Sequence, residues 1–340
     1  DIAAAAGADT LYTDESEFGM QGTGLPPRRL GATYTNTDFT IADETDLLDL
    51  WHLFVYAKRK YRDAFDQGQL VDTRERRRIV GDYTLSVIDE FAGRTFPDTI
   101  LIAYSDYDTH GYTIHPLFEV VHPERQGYYV RVPYRCCVPK GLEGLLVGGI
   151  GLSVHRDALP LVRMQADMQN LGYALGVAAA MIAETGTLVR SLDIRALQKH
   201  LVKVGNLPPE VLTEADSFPL PDEAIAAAVR RLETPEDVAA IMSSPERARP
   251  LLRAAYQSEQ DKHRRIRYAQ MLALLADSAG LDTLIAEVRS YDGWDQGWNY
   301  RAMGQFGSAF SRLDTLIVAL GRTRARRALP AILEKARLLD

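Results

Sequence analysis

At 340 residues, with 46% apolar and 25% charged side chains, the chain is long enough for two cores, and its net charge of −7 argues against general nucleic-acid affinity. No apolar run reaches the roughly 20 residues of a membrane span, and the alanine-rich stretch near 174–183 is short and bounded by Glu184. The two cysteines are neighbours, Cys136 and Cys137, which excludes a disulfide framework and cannot supply a zinc site unaided, so no metal is expected.

In chain order, residues 1–8 read as a helix end and 9–42 as turn-rich chain, with strand-like alternation at Ala32–Thr35. Asp43 can cap a helix over 43–66, where Leu47, Leu50, Trp51, Phe54 and Val55 keep helical spacing. Strands are expected over 76–89, 99–106, 112–120 and 127–134, and their short connections favour antiparallel pairing. Leu145–Val147 reads as a further apolar strand. It leads to a turn at Gly148 and Gly149, then to a loop holding Ser153 and His155. Helices follow over 160–185, rich in small residues, and over 192–204, ending at Asn206–Pro209.

From 221 to 340 the strand signals vanish and the pattern is helical and rich in Ala, Leu and Arg. Two nine-residue stretches resemble each other, Leu281–Arg289 (LDTLIAEVR) and Leu329–Arg337 (LPAILEKAR). Their offset suits a HEAT-like array of helical pairs. The aromatic, glycine-bearing insertion at 291–311 is expected either to pack on that array or to act as a lid.

A strand, a glycine turn and a helix N-terminus together suit a phosphate-bearing cofactor, because glycine permits close approach and free N–H groups favour anions. The full run is Pro133-Tyr134-Arg135, Val138-Pro139-Lys140, Leu145 to Gly149, Ser153, His155, Ala158, Arg163-Met164 and the helix Gly172 to Ala179. Upstream stand Arg77 to Tyr83, Phe96-Pro97-Asp98 and Asp108-Thr109-His110. These blocks, in this order, resemble the C-terminal portion of the FAD-dependent oxidoreductases of the glutathione-reductase-like class, and most closely a broad bacterial-type branch. The resemblance covers about residues 1–210. It departs at Ile150, since that branch usually carries Arg after the glycine of the turn.

The resemblance implies an α/β plus α chain. A substrate domain (about 9–135) and a flavin-closing segment (about 136–205) of a Rossmann-like FAD-binding fold would precede the array at 221–340. No Gly-x-Gly-x-x-Gly sits in a βαβ unit here, so the Gly-rich loop is expected in a preceding segment or companion chain. The implied cofactor is FAD, held by Gly148, Gly149, Ser153, Arg163, Met164 and Gly172. His155 or His110 would be the base, Asp108 would orient His110, and Tyr134 and Arg135 would hold substrate. The implied reaction moves a hydride from a small polar substrate, such as a sugar or sugar-derived alcohol, to flavin. The rival readings are a scaffold protein with a degenerate flavin fold and a flavin enzyme of other chemistry. A soluble, cytoplasmic or periplasmic protein is expected, with a protein partner for the repeats.

Overall fold

The computed structural model describes residues 47–51, 55, 59, 78–108, 115–121, 126–295, 297 and 310–338. The readings made for 1–46, for His110 and for most of the insertion at 291–311 lie outside those residues. The chain divides into two compact units, one of them Asp1–Arg78 with His110–Tyr112 and Asn299–Ser308. The described part of that unit is chiefly a short helix, α1 (Leu47–Trp51), which exposes Leu47 and Leu48.

The second unit carries a two-stranded sheet, β1 (Thr99–Ser105) and β2 (Tyr128–Pro133), with the antiparallel pairing expected for these stretches. The outer edge of β1 is met by side chains rather than by another described strand. Asp167 accepts from the Tyr104 N–H (3.3 Å), and the Gln198 amide donates to the Thr99 carbonyl (2.9 Å). Those residues lie on α4 (Gln165–Thr185) and α5 (Ile194–Lys203). Gly186 closes α4 at φ 63°, and Asp193 caps α5.

Two of the expected strands contain short helices among their described residues. Within 76–89, Ser86 and Asp89 form a reciprocal capping box that starts α2 (Val87–Phe91), leaving 79–85 with only isolated bridges. Within 112–120, the described part starts α3 (Leu117–Val120) directly after Pro116. Leu145–Val147, expected as a strand, forms none; the Val147 N–H donates to the Cys137 carbonyl at 2.8 Å.

The described residues of 222–336 carry helices: α6 (Asp222–Arg231), α7 (Pro235–Met242), α8 (Pro245–Ser258), α9 (Lys262–Leu274), α10 (Leu281–Arg289), α11 (Arg312–Arg322) and α12 (Leu329–Ala336). Each packs on its successor through α11, and α7, α9 and α11 also lie against α2 or α3. The array therefore shares one core with the strand-bearing part. Thr234 and Ser311 open α7 and α11 with capping boxes, and Asp295 adds a second cap on α11 through the Arg312 and Leu313 N–H groups. Trp294 donates to Asp314, so the described start of the insertion is packed on the array. Buried Lys335 of α12 donates to the Tyr291 carbonyl and so ties down the end of α10. Among the described residues no helix is long and apolar enough to cross a membrane.

Candidate functional site

The glycine turn sits where the sequence puts it. Gly148 is extended and lies on α4: a Cβ there would stand 2.5 Å from the Leu175 side chain. Gly149 takes φ +68°, a conformation that favours glycine, and the space where its Cβ would stand is open. Gly172 and Gly176 are exposed on α4 with equally open surroundings. Met164, partly buried, precedes α4 and provides no side-chain cap, so the first N–H groups of a 21-residue helix keep their donor capacity.

Ser153 holds the chain together rather than facing outward. It is fully buried, its hydroxyl accepts from the Gly81 N–H (2.9 Å), and it lies 2.8 Å from the Thr84 hydroxyl. Arg163 is nearly buried as well, and its guanidinium donates to the Asp108 carbonyl at 2.6 Å. It therefore anchors the Asp108 segment to the start of α4. His155 is exposed, while its backbone is fixed by donation to Leu85 and by accepting from Ala158 and Leu159.

Tyr134 and Arg135 belong elsewhere. Arg135 makes a bidentate pair with Asp98 (2.9 and 3.0 Å), and the Tyr134 hydroxyl donates to the Val189 carbonyl at 3.0 Å. Both line an open cleft of about 480 Å³ shared with Asp82, Arg190, Ile194 and Asp216. Asp98 precedes β1 and Asp108 follows it, and a seven-residue strand spans roughly 23 Å. The Arg135 cleft and the Asp108–Arg163 contact thus lie at opposite ends of β1. The expected substrate residues do not form one cluster.

Asp157, which sequence reasoning passed over, organises the ground beside His155. It takes Arg156 at 2.7 Å and the backbone N–H of His115, and its carbonyl accepts from the Tyr107 hydroxyl at 2.8 Å. Tyr107 is held in the left-handed region at φ 57°. Burial lowers the pKa of His115; Asp157 opposes this, while His155 and Arg322 add to it. The Leu117 N–H donates to His115 Nδ1 at 3.2 Å, which also favours the neutral ring. Glu90 is buried with both carboxylate oxygens unpartnered; desolvation, with Asp89 and Asp157 nearby, pushes its pKa far up and holds it protonated. Burial also pushes the Cys137 thiol up to about 12 and Cys136 well above its usual range, so both stay protonated. Arg190 was equally illegible: it bridges Asp82 and Glu143 and donates to the Pro139 and Leu142 carbonyls. No motif marks it, because its partners are distant in sequence.

Residues 39–201 match the family model described as FAD dependent oxidoreductase. The match spans both strands, the glycine turn, α4 and most of α5, and stops before the helical array. No curated protein and no solved structure matches the chain. The open space at Gly149 and the uncapped start of α4 fit a phosphate-bearing group. Residues 39–201 are thus similar to the FAD dependent oxidoreductase family, and the cofactor that this match indicates is FAD.

Proposed function

We propose that the strand-bearing part closes over FAD and serves an oxidoreductase that takes a hydride from a small polar substrate of the sugar or sugar-alcohol class. The observation that carries this reading is the left-handed Gly149 with open space at its Cβ position, beside α4, inside the family match. Gly148, Gly149, Gly172 and the N-terminus of α4 with Met164 would hold the cofactor, and Ser153 and Arg163 would brace them. When bound, FAD supplies the hydride acceptor. The partial positive charge at the start of α4 favours an anionic group there.

His155 is the assigned base because its ring is exposed while its backbone is pinned. Arg163 would fix the Asp108 segment, which leads to His110. Tyr134 and Arg135 are assigned to the cleft at the other end of β1, where a substrate's polar tail or a second ligand would bind. The helices of 221–340 are read as a HEAT-like array of helical pairs that recruits a protein partner.

The test is anaerobic bleaching of the flavin absorbance of the protein, purified as the cell makes it, with aldoses, alditols and amines. Bleaching by a polyol, slowed at least about 100-fold in His155→Gln with flavin content unchanged, supports the assignment. Absence of flavin absorbance contradicts the function, and bleaching by amines alone contradicts the substrate class.

A further inference from the structure

The two repeated stretches become α10 and α12, yet their equivalent faces differ. In α10, Leu281 is 6% exposed and Ile285 is partly buried, and the helix lies among α9, α11 and α12. In α12 the matching Leu329 is 53% exposed and Leu333, the match of Ile285, is 52% exposed. Its described helical neighbours are α10 and α11. A helix face that needs no cover carries polar residues. This one repeats the leucine ridge that is covered one step earlier.

The frame around the ridge has a sign. Arg324 and Arg326 precede α12 and Arg337 follows it, and their side chains make no ion pair among the described residues. At the preceding step, Arg289, the match of Arg337, pairs with Glu334 of α12 across the packed helices, and Arg327 pairs with Asp282. The same packing extended by one helix would bring an acidic residue to Arg337. A second copy of this chain docked through a two-fold axis would bring the same arginines together, which is unfavourable.

We infer that the outer face of α12 is a docking surface for an acidic amphipathic helix of a partner protein, with leucines at i, i+3 or i+4 and i+7 on Leu329 and Leu333 and its carboxylates on Arg324, Arg326 and Arg337. The mode is helix on helix. It is independent of the flavin reading, since it uses no residue of 39–201.

The probe is a fluorescent synthetic peptide of about 18 residues, leucine at that spacing and glutamate elsewhere, long enough to form a helix. Its twin carries lysine in place of glutamate. Anisotropy with the full chain is expected to show binding of the acidic peptide, weakened at least about tenfold by Leu333→Asp and by Arg337→Glu. Both sites are exposed, so thermal melting of the variants should stay at the wild-type value. Equal binding of the lysine twin, no binding of either peptide, or indifference to Leu333→Asp overturns the inference. So does a concentration-dependent dimer in sedimentation that Leu333→Asp abolishes.

Discussion

Between residues 79 and 203 several ion pairs are drawn inward: Arg94 with Asp89, Arg163 with Asp108, Arg156 with Asp157. Between 221 and 338 many lie in the open, as Arg230–Glu223 and Arg327–Asp282 do, while regular capped helices bury leucines. The first region has few regular elements and uses specific polar contacts to hold loops in place. The second obtains its order from helical periodicity. Loops held rigidly suit a site, because binding groups must be positioned although the chain there is irregular. Periodic helices suit a surface. The two regions still share one core, since α2 and α3 pack directly under α7, α9 and α11.

The largest expected effect lies in the array. Leu272→Ala, at a fully buried position of α9, should cost about 2–5 kcal/mol in urea unfolding. It should shift one transition reported alike by far-ultraviolet ellipticity and by tyrosine fluorescence. A separate early transition for the array would break the shared-core account. In the first region, Gly81→Ala should cost about 1–3 kcal/mol. Its Cβ would stand 2.8 Å from Ser153 Cβ and 2.9 Å from the Arg135 carbonyl. A neutral outcome would mean that the loops are not held so closely.

Glu119 sharpens the boundary between the regions. It lies on α3, its carbonyl accepts from Gln270 of α9, and one of its carboxylate oxygens is buried without a partner. Burial pushes its pKa up to about 7, against the nearby Arg322, from an ordinary 4.5. The folded chain therefore binds the extra proton between those values, and stability should fall as pH rises from about 4.5 to about 7. Glu119→Gln should flatten that slope, gaining about 1–2 kcal/mol over wild type above pH 7 and nothing near pH 4. An unchanged slope would place the titration elsewhere. The smallest effect belongs to Arg230→Ala, which removes an exposed pair and should change stability by less than about 0.5 kcal/mol.

The sequence made the alternating strands, the glycine turn, α4, α5 and the helical region legible, because each follows from a local pattern. Two errors have local causes as well: the Ser86–Asp89 capping box and Pro116 start helices inside runs whose apolar residues suggested strands. The site was legible in part. The turn at Gly149 was legible, since a glycine pair after an apolar run marks a backbone position of positive φ. Ser153 and Arg163 did not show that their polar groups are used on Gly81, Thr84 and Asp108, because those partners lie 55 or more positions away. Tyr134 and Arg135 adjoin the run that leads to the glycine turn in sequence but sit at the other end of β1 from Asp108.

Amide hydrogen exchange on the flavin-loaded protein and on the same protein stripped of flavin tests the central claim directly. The account predicts that loading slows exchange at Gly148–Gly151 and in the first turn of α4, with no change across 221–338. Protection confined to the Arg135–Arg190 cleft or to the array, with the turn and the start of α4 unaltered, would contradict it.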